Sequence, residues 1–242
     1  MESQKNKGLA NSIIQGVTMV MEKTDSAIVL EDDLVTAPDF LNFMNDCLRH
    51  YRDKQVGAIS GYSPIKKLPL GYTESVYVSK RSCSHGWATW RDRWQGVDWG
   101  VDEFDRFRRN KKQRREFDST GADRFDRLRR QLEGDVDSWS IRFGFDLFIR
   151  DLWVIYPSVN RVSNIGFDGS GVHTRSHDRS GLNTTICSHP TSYELTFPAV
   201  DARISQLFLE LYSGSRIRVS VRRIGNSKAA FAFRALAGKL RG

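Results

Sequence analysis

The chain has 242 residues, of which 39% are hydrophobic, and this is enough to bury a large core and to exclude a disordered or fibrous protein. The formal net charge is +8, and residues 203–242 alone supply it, with nine basic side chains against the single acid Glu210. Because the rest of the chain is neutral, the composition is not that of a protein that is basic throughout, and we expect no nucleic-acid partner.

Cysteine usage and hydropathy indicate a cytoplasmic protein. Cys47, Cys83 and Cys187 are far apart and form neither a disulfide framework nor a cysteine metal site, which fits a reducing compartment. No apolar run approaches the ~20 residues of a membrane-spanning helix, and the N-terminus lacks the apolar core of a signal peptide. Any membrane contact is therefore expected to be peripheral, at the inner face of the cytoplasmic membrane.

The first eighty residues alternate between predicted helices and strands. Apolar residues at helical spacing predict a helix over 9–21, and the run 27–30 predicts a buried strand. A second helix begins near Pro38 and carries the stripe Phe40, Met44, Leu48 and Tyr51. Strands are predicted at 56–60 and 75–79. This alternation indicates an α/β fold.

The second half of the chain is less regular. Residues 102–133 contain eleven basic and eight acidic residues around a thin apolar stripe, which predicts one or two solvent-exposed helices. A helix over 139–149 and a strand over 152–156 follow. The stretch 158–198 is rich in Gly, Ser, Asn and His, a composition typical of loops that carry function.

The basic C-terminus sets the predicted domain boundary, with one domain over 1–200 and an extension over 201–242. In this extension Ile217, Val219 and Val221 alternate with basic and polar residues, and an apolar stretch with interspersed Lys and Arg follows. One interpretation is a basic amphipathic segment that binds an anionic membrane surface. The alternative is an edge strand followed by a packed terminal helix.

Three consecutive carboxylates, Glu31, Asp32 and Asp33, directly follow the first predicted strand. Open α/β sheets bind ligands at the carboxyl ends of their strands. A hard divalent cation, Mg²⁺ or Mn²⁺, would relieve the repulsion between these charges and could hold a diphosphate. An acidic surface turn that caps the next helix is an equally good interpretation of the spacing alone.

Two parts of the sequence carry a family resemblance. The segments 8–14, 27–34 (with Glu31-Asp32-Asp33 in place of a DxD motif) and 37–40 resemble the metal-binding half of a nucleotide-diphospho-sugar glycosyltransferase of the GT-A fold. Residues 156–173 resemble a late segment of the N-acetylglucosaminyltransferase I group and of bacterial family-2-like sugar transferases. The resemblance therefore implies a partial GT-A, Rossmann-like mixed sheet with flanking helices.

The resemblance also implies roles for individual residues. Glu31, Asp32 and Asp33 would bind the donor diphosphate, with Asp33 as the main metal ligand and His173 completing the coordination of Mn²⁺ or Mg²⁺. The segment 84–90 resembles a stretch that lines the sugar pocket, in which Gly86 allows close approach and Trp87 and Trp90 offer faces for stacking, although core packing would equally explain each Trp. Arg161 and Asn164 would contact sugar or acceptor.

Asp135 and Asp137 precede the helix that is predicted from Trp139. As carboxylates at a helix N-terminus they could simply cap it. In the resembling enzymes an acid before the Trp of a similar helix is the general base that deprotonates the acceptor hydroxyl. We favour Asp137 over Asp135 for that role.

The family places one or two βαβ units before its acidic motif, and these form the pocket for the nucleotide base. Because this motif comes by residue 31, we expect those units to be missing, either because the sequence is a fragment, which we favour, or because the protein is degenerate. The predicted function is metal-dependent, inverting transfer of a sugar from a nucleotide-diphosphate-sugar to a saccharide or lipid-linked saccharide, in cell-surface polysaccharide synthesis. The alternative is a non-catalytic carbohydrate-binding protein.

Overall fold

The computed structural model describes residues 7–165 and 186–213 of the chain. The helices in this part are α1 (Leu9–Met21), α2 (Phe40–His50), α3 (Arg91–Gln95), α4 (Phe104–Arg109), α5 (Lys111–Phe117), α6 (Arg124–Leu132), α7 (Trp139–Ile149) and α8 (Ala202–Leu211). The strands are β1 (Ser26–Val29), β2 (Leu34–Thr36), β3 (Val56–Ser60), β4 (Val76–Ser79), β5 (Trp87–Trp90), β6 (Trp153–Pro157) and β7 (Val162–Asn164).

Five strands form one mixed sheet in the order β1-β5-β3-β6-β4. β3 and β6 are parallel, whereas β5 runs antiparallel to both β1 and β3, and β4 runs antiparallel to β6. Strands β1, β3 and β6 therefore all end at the same edge of the sheet, and β5 begins there. β2 and β7 form a separate antiparallel ribbon.

Helices cover both faces of the main sheet. Along β6, Val154 and Tyr156 pack into the core beneath α1, α7 and α8, whereas Ile155 between them packs into the core beneath α2. This alternation follows from the two-residue period of a strand. The predicted α/β class is confirmed in this coarse form: a mixed sheet flanked by helices.

The periodic segments fold as the sequence predicts. Helices α1, α2 and α7 span the predicted ranges to within a residue or two, and the α2 stripe of Phe40, Met44, Leu48 and Tyr51 is buried. β3 and β4 also lie where alternation and apolar runs predict strands.

The charged region 102–133 differs from the prediction, because it forms three short α-helices and not one or two. Asn110 ends α4 and caps α5, since its side chain accepts hydrogen bonds from the backbone N–H groups of Lys112 and Gln113. Gly121 takes a φ of +147° between the short 3-10 turn that follows α5 and the start of α6. The apolar stripe is buried against α7, around Phe107, Phe117, Leu128, Ile141 and Phe145.

The predicted C-terminal extension is described only in its first part. Helix α8 packs on the sheet through Phe208, whose ring lies 6.2 Å from that of Tyr77 and 5.3 Å from that of Tyr156. Residues 214–242, for which we predict membrane contact, lie outside the described residues. In the part of the chain that the structure describes, no helix is long and apolar enough to cross a bilayer.

Candidate functional site

The acidic trio lies where the sequence predicts it, directly beyond β1 and at the edge where β1, β3 and β6 end. Asp32 is exposed, whereas Glu31 and Asp33 are half-buried. Burial raises the pKa of Glu31, and the neighbouring carboxylates of Asp33 and Asp32 add to the rise, while the imidazole of His85 opposes it. The three acids therefore differ in environment although they are adjacent in sequence.

Asp33 is the most firmly held of the three. Its Oδ2 accepts a hydrogen bond of 3.0 Å from Nδ2 of Asn164, and its backbone carbonyl accepts one of 2.9 Å from the N–H of Ile165. Its Oδ1 is buried and has no hydrogen-bond partner among the described residues. A buried carboxylate oxygen without a partner is costly unless a cation or another donor satisfies it.

His85 joins this edge from the start of β5, and sequence reasoning assigned it no role. Its ring lies 5.1 Å from that of Tyr62, which follows β3. Although burial disfavours the cation, the neighbouring Cys83, Glu31 and Asp33 raise the pKa of His85 to about 9. The signal that could have revealed it is a histidine immediately before Gly86, once residues 87–90 are recognised as a strand of this sheet.

The space beside Gly86 is filled by core side chains. Its φ is +63°, and a Cβ at this position would lie 2.9 Å from Cγ2 of Val162. The carbonyl of Gly86 also accepts a 2.7 Å hydrogen bond from the N–H of Gly61, which joins the end of β3 to the start of β5. Gly86 therefore lets the chain pass close to Val162 and holds the start of β5 against the end of β3.

The burial of Trp87 and Trp90 speaks against the sugar-stacking role that the sequence suggested. Trp87 is 1% exposed and packs 4.9 Å from the ring of Trp139, in the core beneath α1 and α7. Trp90 is 2% exposed, and its Nε1 donates to the carbonyl of Leu48. In β5 the two indoles lie on opposite faces of the sheet, and both are covered by helices. Core packing, the alternative explanation, accounts for both.

Arg161 and Asn164, for which the resemblance implies contacts with sugar or acceptor, are both buried. Arg161 is 2% exposed, its Nε lies 3.4 Å from Oδ2 of Asp39, and its guanidinium lies 4.0 Å from the ring centre of Phe43. This enclosed guanidinium links the residue before β7 to the start of α2, and it is not exposed for a sugar to contact. Asn164, which is 5% exposed, binds the carboxylate of Asp33.

Asp135 and Asp137 do not cap α7 in the way that the capping interpretation requires. The Ncap residue of α7 is Ser138, and its side chain makes no capping hydrogen bond. The Oδ2 atom of Asp137 instead accepts a 3.2 Å hydrogen bond from the N–H of Ala10, in the first turn of α1. Asp135 is exposed, 3.8 Å from Nε of Arg130.

Asp137 lies at the same edge of the sheet as the acidic trio. Helices α1 and α7 lead through short turns into β1 and β6, so each helix begins near the edge where its strand ends. Two residues after Asp137, Trp139 packs against Trp87, whose β5 position pairs with Val29 at the end of β1. The structure therefore brings an exposed carboxylate and the acidic trio to one side of the molecule.

The side chains at this edge fit a hard cation only in combination with a ligand. Within residues 7–165 and 186–213, no three His, Cys, Asp or Glu side chains are grouped so that they could hold a metal ion by themselves. Magnesium-type sites often use one or two carboxylates and take their remaining oxygens from phosphates and water, and Asp33 suits that arrangement. His173, the second predicted metal ligand, lies outside the described residues.

The sequence matches no model of a known protein family, and no curated protein is significantly similar to it.

Proposed function

We propose that this protein is a glycosyltransferase of the GT-A type, which transfers a sugar from a nucleotide-diphosphate-sugar to a saccharide hydroxyl with Mn²⁺ or Mg²⁺ as cofactor. The observation that carries the proposal is the buried Oδ1 of Asp33, which has no hydrogen-bond partner among the described residues. Asp33 follows β1 at the edge where the parallel strands end, and this is where open α/β sheets typically bind ligands. The resemblance assigns the donor diphosphate and its cation to that position.

Asp33 and Asp137 take different parts in the proposed reaction. The carboxylate of Asp33 would help to hold a divalent cation, which would supply positive charge to the leaving diphosphate. Asp137 is exposed at the same edge, and its carboxylate would accept the proton of the acceptor hydroxyl as that oxygen attacks the anomeric carbon. The hydrogen bond from Ala10 fixes the direction of the Asp137 carboxylate.

The alternative, a non-catalytic carbohydrate-binding protein, is not favoured by a specific observation. A sugar-binding site is commonly built on exposed aromatic faces, and Trp87 and Trp90 are both buried in the core. The features at this edge are carboxylates and an imidazole, which suit charge stabilisation and proton transfer more than sugar stacking.

The proposal is tested with Asp33→Asn, which keeps the shape of the side chain and removes its charge. Wild-type protein, supplied with Mn²⁺, a panel of UDP-, GDP- and dTDP-sugars and a panel of saccharide acceptors, should transfer the sugar to an acceptor and release nucleoside diphosphate, both measured by mass spectrometry. The variant should lose at least about a hundredfold of that activity, the scale of a transition-state interaction of ~3 kcal/mol. Asp25→Asn is the matched control, because Asp25 precedes β1 at the opposite edge and its side chain is 89% exposed.

Three results would contradict the proposal. One is wild-type turnover by the Asp33→Asn variant, and another is equal turnover by the wild-type protein in EDTA. A wild-type protein that neither binds Mn²⁺ nor turns over any donor would also overturn it.

A further inference from the structure

Asn164 and Asp33 are joined by two independent contacts. The side-chain amide of Asn164 donates to Oδ2 of Asp33 at 3.0 Å, and the backbone N–H of Ile165 donates to the carbonyl of Asp33 at 2.9 Å. The ribbon formed by β2 and β7 fixes this pairing, because Leu34 lies opposite Asn164 in its register. A shift of one residue would turn the Asn164 side chain to the other face of the ribbon.

This contact determines which oxygen of Asp33 remains for a ligand. A carboxylate that holds a cation must present one oxygen in a fixed direction, and rotation about its terminal torsion is otherwise broad. The amide of Asn164 holds Oδ2, while Oδ1 is buried and has no hydrogen-bond partner among the described residues. Asn164 is 5% exposed, so neighbouring atoms also restrain its side chain.

We propose that Asn164 is a positioning residue for the cation site, which orients Asp33 so that Oδ1 faces the metal ion. The inference rests on the proposed metal-dependent function. It replaces the acceptor contact that the resemblance implies for Asn164 with a role one step removed from the metal. Partners that orient metal ligands typically change metal affinity by 10- to 100-fold when they are mutated.

The test measures the dissociation constant of Mn²⁺ alone, from the electron paramagnetic resonance signal of the free ion, for the full chain. Asn164→Leu removes the amide and keeps a similar volume, and it should weaken Mn²⁺ binding by about 10- to 100-fold. Asn160→Leu is the matched control. Asn160 accepts a 2.8 Å hydrogen bond from the N–H of Ser63 and donates one to the carbonyl of Val162, so its loss should destabilise the fold without changing Mn²⁺ affinity.

Asn164→Asp keeps the test decisive if the leucine variant does not fold. A second carboxylate about 3.0 Å from Asp33 repels it, and a cation relieves this repulsion, so Mn²⁺ should bind this variant more tightly and raise its melting temperature more than that of the wild type. The leucine variant, where it folds, should show a smaller rise. If the contact between Asn164 and Asp33 only stabilised the fold, both Asn164 variants would lose stability. Mn²⁺ would then raise their melting temperatures by the same amount as that of Asn160→Leu.

The outcomes separate this inference from the proposed function. If the wild-type protein binds no Mn²⁺, the metal-dependent function fails, and the inference fails with it. If the wild type binds Mn²⁺ and Asp33→Asn does not, the cation site stands. Unchanged Mn²⁺ affinity in Asn164→Leu, or in Asn164→Asp where only that variant folds, would then overturn the positioning role alone.

Discussion

Replacing Gly86 by alanine tests how tightly the candidate site is built. Gly86 has a φ of +63°, and its missing Cβ would lie 2.9 Å from Cγ2 of Val162, 3.3 Å from Cδ2 of Leu30 and 3.4 Å from Cε2 of Phe40. Val162 is fully buried, so its side chain has little room to move away. We therefore expect both backbone strain and overpacking in Gly86→Ala.

The two costs can be separated with Gly71→Ala. Gly71 has a similar φ of +79°, but a Cβ there would meet nothing within 4 Å. Left-handed backbone costs an alanine ~1–2 kcal/mol, and the loss of freedom in the unfolded chain returns ~0.4–1 kcal/mol, so the free energy of unfolding should fall by about 1 kcal/mol. Overpacking adds ~1–3 kcal/mol at Gly86, for a total of about 2–4 kcal/mol.

Urea denaturation of the two variants measures the difference. The double variant Gly86→Ala/Val162→Ala, which removes the crowded methyl group, should recover part of the loss, with a coupling energy of about 1 kcal/mol or more in a double-mutant cycle. The reasoning is refuted if Gly86→Ala is no less stable than Gly71→Ala, or if the two substitutions in the double variant are additive.

Two further predictions concern acidic side chains. Asp137→Asn should lower transfer at least about a hundredfold, as expected for a lost general base, with little loss of stability because its amide oxygen can still accept from the N–H of Ala10. Full activity in a donor-turnover assay would exclude Asp137 as the base. Burial raises the pKa of Asp118 from 3.8 to about 6, so folding favours its protonated form, and the free energy of unfolding contributed by this group falls as pH rises through that window. Asp118→Asn should flatten this fall in urea titrations between pH 3.8 and 6, and an unchanged pH profile would contradict the assignment.

Sequence periodicity was sufficient for the elements whose apolar pattern is local. The apolar stripe of α2 and the apolar run of β3 can each be recognised from the residues of that element alone, and both elements lie where they were predicted. Strand β5 was missed because Trp87-Ala88-Thr89-Trp90 shows no clear two-residue alternation, and only its position between β1 and β3 makes it a strand. The β2–β7 ribbon was missed for a related reason, because each strand has three residues and its partner is distant in sequence.

The candidate site was predictable only where it depends on local sequence patterns. The position of the acidic trio follows from one apolar run and the rule that ligands bind at strand ends, and the structure places Glu31, Asp32 and Asp33 there. The contact between Asp33 and Asn164 depends on a pairing that composition does not reveal. The indoles of Trp87 and Trp90 were assigned to a sugar because their residue type fits stacking, but residue type does not tell which helix covers a ring.

The strand order of the main sheet has a consequence for how the protein reaches its native state. In the sheets that the structure describes, no two strands that are consecutive in sequence pair with each other, so neither sheet contains a simple hairpin. Each pairing must close a long loop before it gains any hydrogen bonds, and chains of this kind fold slowly, on the order of milliseconds to seconds. The edge that carries Asp33 and His85 exists only once β5 has entered between β1 and β3. Ligand binding at this edge would therefore report completed folding of the whole sheet, and no short segment of the chain could reproduce it.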